Sequence, residues 1–406
     1  MSKGRFHPHP GGITKVLALG GAGAVGQYTV SKLAASELVS EIVIAGRNLE
    51  TAKQAAAALG EKCAAVQADI IDETGLASMA SGFDIIVNTA GPEYKVVLPA
   101  LRAAIKAGVD YCDICCHGRT TEKALTLDSA AKAADVAALM GIGVEGLSNL
   151  MMMHASHQLD KTDDMRFCTV NVIGAVLGDP NTALAQYKKL NKTDASMELI
   201  MRVVSGKVPV YRGGHWVEVD PIDDAVRVTS PYGGDIVAHP VDISDTITLP
   251  RTLRDIRDVS VVGCMFPPEL DSLWCELGRR IGRGELDESA AAMAFVKHMA
   301  TLPKEALATP KGYEAGWVMW AEAVGEKDGR RVCYRCWPKG DWATTTSGPL
   351  AAAALKILRG EIRARGVLSP ESCLDPMSFF SEVARYATER PSDGKLLAES
   401  IEPLHK

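Results

Sequence analysis

No stretch of the 406-residue chain reaches the roughly eighteen unbroken apolar residues a membrane helix needs, which argues against a membrane partner. The first ten residues, Met1 to Pro10, lack the apolar region of a secretory signal and read as a floppy leader. Positive charge is also short. With 44 Lys and Arg against 50 Asp and Glu the net charge is −6, and no basic stripe or RNA-binding motif is present, so no nucleic-acid partner is expected. The ten cysteines have no secretory context, which predicts reduced thiols and a cytoplasmic protein. No Ser-His-Asp or Cys-His triad can be argued from spacing.

What is present is a soluble composition, 47% hydrophobic and 23% charged, on a chain too long for one ordinary core. Two domains are therefore expected. The first is organised around Gly20-Gly21-Ala22-Gly23-Ala24-Val25-Gly26, which follows the apolar run Val16–Leu19 and opens onto a segment of helical spacing, Gln27 to Leu38. Between a strand and a helix, G-x-G-x-x-G is a dinucleotide fingerprint. Gly21 permits the tight turn, Gly23 lets backbone approach a pyrophosphate, and Gly26 lets helix and strand pack closely. The phosphates then meet free N–H groups of Ala24, Val25 and their neighbours at the helix N-terminus.

Further apolar runs at 41–45, 63–67, 84–88, 109–114 and 136–140 alternate with Ala-rich helical segments such as Leu49–Leu59 and Leu98–Ala107, the latter closed by Gly108. This alternation predicts a doubly wound parallel sheet, a Rossmann-type α/β domain, whose ligands bind off the C-terminal strand ends. After the second run comes Arg47 where an NAD site usually carries an acid, and a guanidinium suits the 2′-phosphate of NADP, so NADPH is favoured over NADH. After the third come Asp69 and Ile70, facing the adenine side. After the fourth, Asn88, Thr89, Ala90, Gly91 and Pro92 form a turn of small residues where a nicotinamide ribose passes close to backbone.

Asp113, His117 and Arg119 gather ionisable groups after the fifth run, as candidates for acid–base work or anion binding. Asp113 reads equally well as a carboxylate fixing a loop. Tyr94 and Lys95 follow Pro92 and lie toward the expected nicotinamide end, and Glu145 is a further candidate relay. The sixth run leads to Ser148 or Asn149, either able to cap a Met-rich helix. Candidate carboxylate anchors are Arg119, Arg212 and Arg251; His215-Trp216 sits at a hairpin tip. Two C-x-x-C pairs, Cys112/Cys115 with His117 and Cys333/Cys336, raise zinc. Both lie in strand-like runs without a Gly-rich knuckle, and no metal is expected.

From about Arg166 to Asp341 strands dominate. Hairpins are predicted at 208–219, 225–238 and 313–337, the last turning at Asp328-Gly329, with helices at 184–190, 269–281 and 288–299. This is an α+β substrate domain with an antiparallel or mixed sheet, placed at 161–342, and such a sheet commonly forms a dimer contact. Residues 1–160 and 343–406 make the first domain. A helix at 351–358 packs back on it, an amphipathic segment 377–386 follows, and the last polar residues fray.

The glycine turn at 20–26, Gly46-Arg47-Asn48-Leu49-Glu50-Thr51-Ala52-Lys53, Asn88–Pro92, Val109–Asp113, Gly146-Leu147-Ser148-Asn149 and the closing Gly366-Val367-Leu368-Ser369-Pro370-Glu371 together resemble the saccharopine dehydrogenase superfamily, in its saccharopine-reductase-like branch. The match is specific over about the first 160 residues and the last 60, and diffuse between. The resemblance implies a Rossmann domain with the substrate domain inserted, an NAD(P)-dependent oxidoreductase acting at C–N bonds of small molecules, and a homodimer. Members join an amino acid or polyamine to a carbonyl compound by imine reduction, or deaminate an amino acid. The chain departs from the pattern at Gly143-Val144-Glu145-Gly146, where members often have Gly-x-x-Pro-Gly, and at Cys115-Cys116-His117. Two other readings stay open: a carbonyl or enoyl reductase on a lipid-like substrate, and a non-catalytic dinucleotide-binding protein.

Overall fold

Short apolar runs that are buried on both faces need helices above and below them, and that requirement shapes the first of two units. The computed structural model describes residues 14–172, 180–190, 193–303, 305–307, 317–339, 346–386 and 393–404. One unit comprises residues 1–150 and 345–390, the other 151–344 and 391–406.

In the first unit the chain runs β1 (Thr14–Leu19), α1 (Ala24–Ala34), β2 (Val39–Gly46), α2 (Leu49–Leu59), β3 (Cys63–Gln67), α3 (Glu73–Ala80), β4 (Ile85–Asn88), α4 (Glu93–Ala107), β5 (Asp110–Asp113), α5 (Gly118–Leu125), α6 (Asp128–Ala133), β6 (Ala137–Leu139) and the first half of α7 (Val144–Ser156), whose residues from Met151 on count with the second unit. Seven parallel strands lie in the order β15-β6-β5-β4-β1-β2-β3, the doubly wound sheet expected. Leu17, Leu19, Ile86, Tyr111 and Ala138 of the sheet pack with Leu76, Val97, Leu101 and Ala104 of the helices in one core. The helix Ser347–Leu358 returns to pack on α1, β4 and β5, and β15 (Gly366–Leu368) pairs with β6 to complete the sheet edge.

Two local expectations are corrected. α4 begins at Glu93 rather than Leu98, because the polar Glu93-Tyr94-Lys95 winds the first turn after Pro92; Gly108 closes it at φ 66°. α7 begins at Val144, so Ser148 and Asn149 lie inside the helix, buried, and do not precede it. Gly146 is required there, since a Cβ would meet the Gly141 carbonyl oxygen at 2.7 Å.

The second unit is a mixed nine-stranded sheet in the order β10-β11-β12-β7-β13-β14-β16, with β8 and β9 as a side hairpin. Its strands are β7 (Lys161–Val172), β8 (Val208–Arg212), β9 (His215–Val219), β10 (Val226–Thr229), β11 (Asp235–Pro240), β12 (Asp258–Phe266), β13 (Trp317–Lys327), β14 (Arg330–Pro338) and β16 (Leu397–Pro403). β7 and β12 pair in parallel and the others antiparallel. All three expected hairpins form, and Asp328-Gly329 turns the last with φ 50° and 71°. Helices occupy Pro180–Leu190, Pro268–Gly282 and Glu288–Met299 near the expected positions.

β16 overturns the expectation that 343–406 returns whole to the first domain and ends frayed. Its seven residues pair along β14, its Glu399 bonds His154 at 2.7 Å and its Glu402 meets Arg335 at 2.7 Å. A polar strand is ordered here by backbone pairing and charge, not by apolar periodicity. The expected leader, the Tyr313–Gly316 start of the last hairpin and the 342/343 boundary lie outside the described residues.

Candidate functional site

The C-terminal ends of β1, β4 and β5 carry the features that matter. β1 stops at Leu19, and the chain reverses at Gly20, whose φ is 72°. The tight-turn role expected of Gly21 therefore belongs to Gly20. A Cβ on Gly20 would stand 2.6 Å from the Ala90 nitrogen, so the glycine turn and the 88–92 turn lie backbone against backbone. Thr89 fastens them: its N–H donates to the Leu19 carbonyl at 2.9 Å and its hydroxyl to the same oxygen at 3.1 Å. Gly26 is packed as expected, with a Cβ reaching 2.3 Å from the Gly20 oxygen.

Gly23 differs. A Cβ there meets only the Gly20 oxygen, at 3.3 Å, and otherwise opens outward. Gly23 is also the N-cap of α1; no side chain caps that end and no acid sits in its first turn. The donors at the start of α1, around Ala24 and Val25, thus present an electropositive end without a resident carboxylate. That arrangement fits a phosphate.

Arg47 stands exposed after β2. Its carbonyl accepts from Gln67 Nε2 at 3.1 Å, while its guanidinium makes no ion pair or hydrogen bond among the described residues. Asn48 beside it caps α2 through Thr51 N–H at 3.1 Å. Asp69 is exposed and turns its own loop, Oδ1 accepting from Ile71 N–H at 3.1 Å; Ile70 is half-buried between them.

Asn88 and Asp113 are paired across β4 and β5 and sit at the inner end of a buried hydrogen-bond chain. Asn88 Oδ1 accepts from Ala90 N–H at 3.0 Å, fixing the 88–92 turn, and Asn88 Nδ2 donates to Tyr111 Oη at 3.0 Å. The Tyr111 hydroxyl donates to Asp113 Oδ2 at 2.8 Å. Asp113 Oδ1 accepts from Cys115 N–H at 3.0 Å and Gly141 N–H at 2.9 Å. Burial pushes the Asp113 carboxyl up to about 6 against the pull of those three donors. Asp113 is 1% exposed and ties the ends of three segments together, the geometry of a framing carboxylate.

A second carboxylate, not singled out in the sequence, does the same work nearby. Glu93, buried in the first turn of α4, accepts from Cys116 N–H at 2.8 Å and His117 N–H at 3.2 Å through one oxygen. It holds the unusual Cys115-Cys116-His117 loop to the first turn of α4. The only available signal was an acid at a helix start after the turn, and a solvated helix-start acid looks identical in sequence. His117 is buried, shares a proton between Nδ1 and Thr120 Oγ1 at 2.8 Å, and meets the Tyr94 ring edge-on at 6.2 Å. Lys95 Nζ lies 5.3 Å from the centre of that Tyr94 ring, exposed. Tyr94, Lys95 and His117 are therefore one group; Arg119 follows in the first turn of α5, half-buried. The Glu145 side chain lies outside the described residues.

In the second unit Arg212 is engaged by Asp224, with bonds of 3.1 and 2.6 Å, and the Arg251 guanidinium stacks 4.4 Å from the Trp216 ring. All ten cysteines are free thiols. Neither C-x-x-C pair belongs to a metal-competent group among the described residues; the group that qualifies is His239, Asp271 and Cys275. No helix among the described residues is long and apolar enough to cross a membrane.

Comparison with known proteins agrees with this geometry. Residues 16–139 match the family model of the saccharopine dehydrogenase NADP binding domain. Over 400 residues, 91% of this chain and 95% of the relative, the sequence is 23% identical to carboxyaminopropylagmatine dehydrogenase of a Synechocystis species. A shorter match, 30% identical over 102 residues and 24% of each chain, is to a trans-acting enoyl reductase of Mycobacterium leprae. Among solved structures, saccharopine dehydrogenase (L-Glu forming) from Saccharomyces cerevisiae superposes with a TM-score of 0.63 at 16% identity, covering 96% of this chain and 100% of that one. Homospermidine synthase from Legionella pneumophila, in complex with NAD, gives 0.58 at 11% identity, covering 93% and 90%. The fold is that of the saccharopine dehydrogenases. The chain is a saccharopine-dehydrogenase-like, NAD(P)-binding oxidoreductase.

Proposed function

We propose that this oxidoreductase uses NADP(H) to make or break a secondary amine, reducing the imine formed by an amino acid or amine and a carbonyl compound, or running the reverse. The observation that carries the reading is the α1 N-terminus: uncapped, free of acids, open at Gly23 and pressed against the 88–92 turn. Gly23, Ala24 and Val25 would hold the pyrophosphate, with Gly20, Gly21 and Gly26 shaping the turn. Arg47 would take the 2′-phosphate, with its unengaged guanidinium supporting NADP over NAD. Asp69 and Ile70 would border the adenine, and Asn88, Ala90, Gly91 and Pro92 the nicotinamide ribose. When bound, the dinucleotide supplies a hydride for the imine carbon, while the nitrogen takes a proton.

For that proton the chain offers Tyr94, Lys95 and His117 as one connected group, with Glu145 as a further candidate. Arg119 would anchor a substrate carboxylate. Asp113 and Glu93 act through the backbone they hold. The C–N reading draws support from the relative matched over 91% of this chain, a dehydrogenase named for carboxyaminopropylagmatine. The enoyl-reductase likeness spans only 24% of the chain, and we rank it second. A homodimer in the cytoplasm belongs to the same reading.

The test is to incubate the purified protein with NADPH and panels of amines or amino acids paired with oxo acids or aldehydes. NADPH consumption that requires both partners, with a product mass equal to the imine plus two hydrogens, is the expected result. Consumption with an enoyl substrate alone, and none with any pair, would sink the C–N reading.

A further inference from the structure

We propose that His239, Asp271 and Cys275 in the second unit bind a zinc-class divalent cation. His239 lies at the end of β11; Asp271 and Cys275 are one turn apart on the helix Pro268–Gly282 and so face the same way. Their donor atoms all lie within 4.8 Å of one another. His239 and Cys275 are buried.

The hydrogen bonds decide what must sit between them. His239 Nδ1 is 2.9 Å from the Pro221 carbonyl oxygen, which can only accept, so Nδ1 carries a proton. In a neutral ring Nε2 then holds a lone pair, and it points at Asp271 Oδ2 from 2.9 Å. Two lone pairs do not face each other at that distance without a positive centre between them. That centre is either a proton, making His239 an imidazolium, or a metal ion.

The convergence of Cys275 on the same point favours the metal. A thiol adds little to a proton-held pair, whereas imidazole, carboxylate and thiolate together form a donor set suited to zinc and ill suited to magnesium or calcium. Both oxygen and nitrogen donors already have the outer partners that orient metal ligands. The Pro221 carbonyl fixes the ring, and Met265 N–H donates to Asp271 Oδ1 at 2.8 Å. Movements of about 1 Å bring the three donors to zinc bond lengths, leaving one tetrahedral position for water. Binding displaces the proton between Nε2 and Oδ2 and the thiol proton of Cys275, two protons released per ion.

The full-length protein should be assayed for zinc by plasma mass spectrometry as purified. It should then be stripped with chelator and titrated with Co²⁺, following the near-ultraviolet charge-transfer band of cobalt bound to thiolate. The expected result is one equivalent of metal per chain, with a band that Cys275→Ser abolishes along with at least tenfold of the affinity. His239→Gln should do the same. If that variant fails to fold, Cys275→Ser suffices, because it exchanges sulfur for oxygen at nearly constant size; far-ultraviolet circular dichroism checks both. The proposal is overturned if the wild-type protein retains no metal and gives no band, or if the band survives Cys275→Ser.

Discussion

Replacing Asp113 by Ala and by Asn separates framing from chemistry. Ala removes the acceptor for Cys115 N–H, Gly141 N–H and the Tyr111 hydroxyl in a place that is 1% exposed. An orphaned buried donor costs about 1–3 kcal/mol, so at least ~3 kcal/mol is expected in all. Asn can keep one oxygen toward the two N–H groups. Its amide then faces Tyr111 Oη, which already accepts from Asn88, leaving one hydroxyl proton without its acceptor. That loss is about 1–3 kcal/mol. The cost of Asn also changes with pH. The Asp113 carboxyl rises from 3.8 unfolded to about 6 folded, so its neutral form stabilises the fold below 3.8 and that contribution fades up to about 6. The stability gap between wild type and Asp113→Asn should therefore be widest near pH 4 and shrink toward about pH 6. Urea denaturation across that range measures it. Cofactor affinity and turnover should fall together in both variants. Full stability and full cofactor affinity with turnover lost would refute the framing account and make Asp113 a reacting group.

Gly26→Ala places a Cβ 2.3 Å from the Gly20 oxygen and 2.7 Å from Gly21 Cα. It should cost about 1–3 kcal/mol and lose dinucleotide binding, read by thermal shift with and without NADPH. Gly23→Val should lose dinucleotide binding while the melting temperature of the apo protein barely moves, because its Cβ meets only the Gly20 oxygen at 3.3 Å. An apo protein that melts much lower would show that Gly23 serves packing. Glu93→Ala strands the Cys116 and His117 N–H groups and should lower turnover, while Glu93→Gln, which keeps an acceptor, restores most of it. Equal loss in both would mean that the charge of Glu93 is what matters.

The parallel sheet was legible because its strands are buried on both faces and read as apolar runs between helices; the expected cores of β1 to β6 stand within a few residues of the observed strands. Hairpins with Gly or Asp-Gly turns were legible for the same local reason. β16 was not, because an edge strand bearing Glu399, Ser400 and Glu402 has no apolar signature, and its order comes from distant partners. Nor were Gly20, Glu93 and the His239 group. Gly20 and Gly21 compete for one turn, and only the backbone angle chooses between them. The burial of Glu93 depends on a loop 23 residues on, and His239 meets Asp271 across 32 residues.

Whether Arg47 tunes the dinucleotide site to NADP is read by a fluorescence titration of wild type and Arg47→Ala with NADPH and NADH. Wild type should prefer NADPH. Arg47→Ala should weaken NADPH by about 1.5–3 kcal/mol, the worth of a charge-assisted contact, and leave NADH within about twofold. Equal weakening of both, or a wild-type preference for NADH, would mean that Arg47 does not hold the 2′-phosphate.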